Sequence, residues 1–166
     1  NALRIISGYD LVIDGSDNFF FFFLINDACV LLDKPMIYGA VFRFEGQVAV
    51  FNLAEEKSNR KTNYRDLFPT PPDDASAISC NEAGVIGVLP GIIGILQATE
   101  AIKIITGLGS PLCNKILTYN ALHNSFYEVA VSPLERSTGT FPETEADFLN
   151  FNYSYGCKAG ENIEEI

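Results

Sequence analysis

The stretch Tyr9-Asp10-Leu11-Val12-Ile13-Asp14-Gly15-Ser16-Asp17-Asn18 decides how this chain is read. Its first half is a short β-branched run ending in an acid and a glycine. That is the pattern of a buried parallel strand leaving its sheet at the carboxyl end, so a strand is expected over residues 9–14. Ser16, Asp17 and Asn18 supply turn and helix-cap chemistry. The apolar residues after them predict a helix over 19–32, ending before Lys34 and Pro35. Met36-Ile37-Tyr38-Gly39-Ala40 then reads as a second strand. Strand, helix and strand in about 30 residues form a βαβ unit, so the sheet is at least partly parallel.

Working outward, Phe42-Arg43-Phe44-Glu45-Gly46-Gln47-Val48-Ala49-Val50-Phe51 alternates around a Glu-Gly turn, which predicts a pair of hairpin strands. Residues 53–77 are polar, carry Pro69, Pro71 and Pro72, and read as a long loop. Residues 84–106 are apolar on nearly every side as far as Gln97 and are expected to form a central buried helix. Gly84, Gly87, Gly91 and Gly94 would give that helix a smooth face for close backbone approach, and Pro90 is expected to interrupt or kink it. A membrane span is the competing reading, but the glycines, Pro90, Glu100 and Lys103 favour a core helix. Gly107-Leu108-Gly109 closes it. Residues 115–120 and 125–131 predict a last hairpin around Leu122-His123-Asn124. Residues 1–133 are thus read as one domain. Residues 134–166, Ser/Thr/Glu-rich and then aromatic over 147–155, are read as linker and tail, or as the approach to a further domain. Residues 1–8 carry no initiating Met and read as the end of an element already under way.

Composition narrows the function classes. With 48% hydrophobic and 19% charged residues among 166, the chain has ordinary globular character. A formal net charge of -10 repels phosphate backbones, which argues against a nucleic-acid partner. Cys29, Cys80, Cys113 and Cys157 lie far apart with no CxxC pair. A disulfide framework is therefore not expected, and a cytoplasmic location is. The run Phe19-Phe20-Phe21-Phe22-Phe23-Leu24-Ile25 is far shorter than the ~20 apolar residues that span a bilayer, so no membrane association is expected.

Asp14 and Asp17 stand just past the carboxyl end of the first strand, the edge at which open α/β sheets bind ligands. A carboxylate there can hold Mg²⁺ against nucleotide phosphates. For Asp17 a second reading stands beside this one, a helix N-cap bonded to the backbone of Phe20. Cys80, in Ser79-Cys80-Asn81-Glu82-Ala83-Gly84, precedes the long helix. It is either a thiol activated near a helix N-terminus or a small buried hydrophobe. Cys29 and Cys113 read as structural. His123, the only histidine, falls in a turn, and with no clustered cysteines there is neither a zinc ligand set nor a Ser-His-Asp constellation. No GxGxxG fingerprint of a nicotinamide-dependent dehydrogenase occurs.

Several stretches together resemble the ThiF/MoeB family, relatives of ubiquitin-activating enzymes that act in molybdopterin and thiamine biosynthesis. They are residues 9–18, Leu24-Ile25-Asn26-Asp27-Ala28-Cys29, Tyr38-Gly39-Ala40-Val41-Phe42-Arg43-Phe44-Glu45-Gly46-Gln47, and Tyr64-Arg65-Asp66-Leu67-Phe68-Pro69. Ser79-Cys80-Asn81-Glu82-Ala83-Gly84-Val85 and Gly91-Ile92-Ile93-Gly94-Ile95-Leu96-Gln97-Ala98-Thr99-Glu100 complete the set. Their order and spacing, from about Tyr9 to Val131, carry the resemblance.

The resemblance implies a Rossmann-like α/β fold with a mixed sheet, and a homodimeric, cytoplasmic adenylyltransferase using ATP and Mg²⁺. Such an enzyme adenylates the terminal Gly-Gly of a small ubiquitin-like sulfur-carrier protein. It implies that Asp17 holds Mg²⁺ and phosphate, with Asp14 and Asn18 also on the nucleotide side. It further implies that Cys80 corresponds to a cysteine some members use in sulfur transfer, and that residues 38–51 help form the surface meeting carrier or sister subunit. It places this chain in the C-terminal portion of the adenylation domain. The Gly-rich phosphate loop, with its Arg and Lys, would belong to a preceding half that this sequence lacks, so this portion alone is expected to be inactive. Two departures matter. Phe22, within Phe19-Phe20-Phe21-Phe22-Phe23, stands where the family carries an Arg facing the nucleotide. The first cysteine pair of the zinc-binding branch would fall at Asn63 and Asp66, so no structural zinc is expected. Relatives without zinc often continue into a rhodanese-like domain. The alternative from another class is a non-catalytic, dimerising protein that docks a ubiquitin-like partner; loss of the Arg favours it, and retention of Asp17 and Cys80 favours the enzyme.

Overall fold

The computed structural model describes residues 1–55, 59–70, 84–134 and 141–153. A short helix α1 (Ala2–Ile6) leads to β1 (Val12–Asp14), helix α2 (Phe19–Leu31), β2 (Met36–Phe42) and β3 (Glu45–Phe51). One turn of helix, α3 (Tyr64–Leu67), precedes the long helix α4 (Leu89–Thr106). Then come β4 (Lys115–Asn120), β5 (Ser125–Ala130) and a last short helix α5 (Glu145–Asn150). The sheet runs in the order β1-β2-β3-β4-β5. β1 and β2 are parallel, with Ile13 opposite Ile37 and Asp14 opposite Tyr38; β2–β3, β3–β4 and β4–β5 are antiparallel, and isolated parallel bridges join Arg43 to Val85 and Val50 to Cys113. The expected βαβ unit and mixed α/β sheet are therefore present.

Strand alternation divides the core into two layers. Met36, Tyr38, Ala49, Phe51 and Ile116 face α2, whose Phe22, Phe23, Ala28 and Cys29 are buried against them. Ile37, Val48 and Val50 face the other way and pack on Leu89 and Ile93 of α4. A β-strand residue one step out of register would turn a core side chain to the wrong layer, so this alternation holds the register.

Four sequence expectations change in detail. β1 covers only Val12–Asp14, because Gly8 and Tyr9 are bonded back onto α1 through Ile5 and Ile6. The β2–β3 turn is at Arg43 and Phe44, not at Glu45-Gly46, since Phe42 pairs with Glu45 and Val41 with Gly46. Gly46 is required within the strand instead, where a Cβ would lie 2.4 Å from Ile93 Cδ1. Pro90 does not kink α4 but begins it, in the first turn where no backbone partner is lost.

The fourth change concerns close packing. The close approach expected at the helical glycines occurs at strand glycines: a Cβ on Gly91 or Gly94 would meet nothing within 4 Å, whereas one on Gly39 would lie 2.4 Å from Gln97. α4 is accordingly buried on one face only. Ile93, Gln97, Glu100 and Ala101 are buried, while Ile95, Ile102 and Ile105 are 69%, 60% and 72% exposed. Its length and apolar composition would suffice to cross a membrane, but its buried face is packed on β2 and β3. Gly107, at φ 68°, caps its C-terminus.

The long loop contains α3, started by a capping box in which Asn63 accepts from backbone N–H and Asp66 accepts from the Asn63 N–H. In the segment read as linker and tail, residues 141–153 pack on the domain. Thr144 and Asp147 form a second capping box, and Phe148 and Tyr153 are buried in the α2 layer. The aromatic period at 147–155 was the sequence signal for this packing.

Candidate active site at the carboxyl end of β1

β1 ends where its backbone leaves the sheet, and the residues after it sort by the direction of their side chains. Asp14 is only 2% exposed. Its Oδ1 accepts from the Ser16 N–H at 2.9 Å, and its Oδ2 is buried without a hydrogen-bond partner among the described residues. Burial pushes its carboxyl above the ordinary value, and the Ser16 backbone and side chain oppose that shift more weakly. Asp14 is thus directed into the protein and holds the loop, rather than being presented to a ligand.

Asn18 is the N-cap of α2, its Oδ1 accepting from the Phe21 N–H at 3.0 Å. The capping role that Asp17 could have filled is therefore taken by Asn18. Asp17 is exposed and has no side-chain hydrogen bond to the described residues. Of the three residues placed on the nucleotide side, Asp17 alone offers an uncommitted carboxylate. A hard oxygen donor in that setting fits Mg²⁺, which takes one or two protein carboxylates and fills its remaining positions with water and substrate oxygens. Among the described residues no group of three His, Cys, Asp or Glu side chains gathers around a point. A dedicated protein cage is thus not what these residues form.

The other candidates sort as follows. Cys80 lies outside the described residues. Cys29 and Cys113 are buried free thiols. Burial, with Asp14 adding to it, pushes Cys29 up to about 12, and burial with Glu55 and Glu100 pushes Cys113 up to about 11. His123 is exposed in the β4–β5 turn. Asn63 and Asp66 serve the α3 cap. Phe22 is 6% exposed, 5.2 Å from the Tyr38 ring and 5.6 Å from the Tyr64 ring, so this position feeds an aromatic core. Of residues 38–51, expected to help form a partner surface, Tyr38, Val48, Ala49, Val50 and Phe51 are buried, whereas Phe42, Arg43, Phe44 and Glu45 around the turn are exposed.

Two arrangements escaped the sequence reading. The Gln97 amide reaches from α4 to the backbone of β1 and β2, donating to Asp14 O at 2.7 Å and Ile37 O at 3.2 Å. The polar break in an otherwise apolar helix was its only trace. The second is a buried ion pair: Arg65 donates through Nε and Nη2 to the two oxygens of Asp27, both at 2.7 Å.

The fold and the site define an α/β domain with an exposed acid at the carboxyl edge of the parallel β1–β2 pair. The ThiF family matches residues 1–139, and the chain belongs to that family. It is 50% identical over 131 residues to a sulfur carrier protein adenylyltransferase of Thermus thermophilus, covering 79% of this chain and 48% of that protein. It is 42% identical over 167 residues to a probable molybdopterin-synthase adenylyltransferase of Pyropia yezoensis, covering all of this chain and 41% of that protein. An adenylyltransferase and sulfurtransferase of Zea mays (MOCS3-2) is 42% identical over 163 residues, with 92% of this chain and 32% of that protein covered. The chain therefore spans less than half the length of these relatives. Among solved structures, Escherichia coli MccB matches with a TM-score of 0.60 at 10% identity, over 86% of this chain and 43% of that one. That likeness extends to the fold alone.

Proposed function

We propose that this chain is part of a cytoplasmic enzyme that uses ATP and Mg²⁺ to adenylate the C-terminal glycine of a small ubiquitin-like sulfur-carrier protein, in molybdopterin or thiamine biosynthesis. The observation that carries this reading is the exposed, uncommitted carboxylate of Asp17 at the sheet's carboxyl edge, in a family whose relatives are named for this activity. MccB, which shares the fold, has been solved with ATP.

In this reading the metal neutralises phosphate charge when bound. Asp17 would hold it, and Asp14 and Asn18 would fix the loop on either side of Asp17. Adenylyl transfer then proceeds mainly by positioning and charge neutralisation. The phosphate loop would come from a preceding half of the protein, so residues 1–166 alone would not catalyse. The open apolar face of α4, with Ile95, Ile102 and Ile105, would be covered in the whole protein by the second subunit of a homodimer. Cys80 remains a candidate for sulfur transfer.

The test is ATP–pyrophosphate exchange on the full-length protein with a carrier ending in Gly-Gly. Exchange that needs the carrier and collapses in Asp17→Ala supports the reading. A well-folded protein without exchange favours the non-catalytic binding role, to which the buried Phe22 points because it offers no charge to a phosphate.

A further inference from the structure

Gln97 lies 83 residues from Asp14 and 60 from Ile37 in sequence, yet its one amide nitrogen bonds to the main-chain oxygens of both. The side chain is 6% exposed. Its slot exists because residue 39 is glycine: a Cβ there would sit 2.4 Å from Gln97 Cδ and 2.5 Å from its Nε2. Asp14 is consequently gripped twice. Its carbonyl is held by Gln97, and its carboxylate holds the Ser16 N–H. Two residues further on, Asn18 is held by the α2 cap. Asp17 is the exposed residue between these fixed points.

We propose that Gln97 is a positioning residue for the Asp17 loop, with Gly39 as the slot that admits it, so that α4 sets where the Asp17 carboxylate meets Mg²⁺ and nucleotide. This rests on the adenylation reading for its catalytic consequence, but not for the geometry. A Gln suits the task because both of its N–H groups can be donated to the oxygens of adjacent strands. Glu in its place would set an acceptor against two acceptors.

The test compares full-length wild type with Gln97→Ala, Gln97→Glu, Gly39→Ala, the Gly39→Ala/Gln97→Ala double variant and Asp17→Ala. Two readouts are taken: the Mg²⁺ concentration for half-maximal pyrophosphate exchange, and hydrogen exchange of the backbone amides of residues 15–18. For Gln97→Ala and Gly39→Ala the half-maximal Mg²⁺ should rise about tenfold, the scale of losing one buried hydrogen-bonding group. The rate at saturating Mg²⁺ should fall much less, and the loop amides should exchange faster. Gln97→Glu should be worse than Gln97→Ala, and the double variant no worse than Gly39→Ala alone, since both act on one contact. Wild-type Mg²⁺ dependence and wild-type loop protection in folded Gln97→Ala would overturn the proposal. Absence of exchange in the wild type would defeat the adenylation reading instead, and the loop amides would still decide whether Gln97 positions the loop.

Discussion

Arg65 and Asp27, 38 residues apart, form a two-pronged ion pair in which both side chains are 3% exposed. Tyr153 donates its hydroxyl to the same carboxylate at 3.0 Å, and Asn26 donates to it at 3.1 Å. The guanidinium lies over the rings of Phe23 and Phe151. One buried charge pair thus joins α2, α3 and the chain after α5.

Breaking that pair strands a charge in the core, so Arg65→Ala should lose about 3–5 kcal/mol of stability. Arg65→Lys should recover only part of it, because an ammonium cannot reproduce the planar fork. Tyr153→Phe removes one hydrogen bond and should cost about 1 kcal/mol. Urea unfolding of the full-length variants measures all three, and an Arg65→Ala loss no larger than that of Tyr153→Phe would contradict the assignment.

Asp14 makes stability depend on pH in a definite direction. Its folded value is raised above the ordinary 3.8 by burial. The stability it contributes is therefore fully present below 3.8 and is lost as pH rises through the folded value. Asp14→Asn keeps an oxygen to accept from the Ser16 N–H but cannot ionise. Its stability relative to wild type should increase from pH 4 upward and then level off, as followed by unfolding midpoints. A difference that does not change with pH would mean that Asp14 ionises freely in the fold.

Cys29 and Cys113, at about 12 and about 11, hold almost no thiolate at pH 8. Neither should react with a thiol reagent in the native protein, and both should react quickly once urea unfolds it. Peptide mapping after timed labelling provides the check; native-state labelling at either position would show that the α2 or β4 layer opens.

The exposed isoleucines of α4 test the proposed homodimer. Ile102→Glu and Ile105→Glu replace side chains that are 60% and 72% exposed, so each should change monomer stability by no more than about 0.5 kcal/mol. Both should lower the dimer fraction of the full-length protein in analytical ultracentrifugation. An unchanged dimer fraction would place the subunit contact on another face.

What the sequence determined by itself was local. Alternating and β-branched runs define β1 through β5, because side-chain period and hydrogen-bonding geometry are set within a few residues. Asn18 starts α2 through a bond that reaches three residues ahead, and Gly107 ends α4 through its own backbone. The caps at Asn63 and Thr144 are just as local, but they lie in stretches read as loop and linker, where no long apolar period drew attention to them. The acid-rich loop after β1 was legible for the same reason.

Only the tertiary structure decided which acid faces outward. Asp14 and Asp17 are the same residue type three positions apart, and what separates them is the sheet and α4 closing over one of them. The slot at Gly39, the reach of Gln97 to two strands and the meeting of Arg65, Asp27 and Tyr153 are contacts between segments 38 to 126 residues apart. No local pattern encodes such contacts, because each depends on the distance and direction of a partner that only the packed chain brings near.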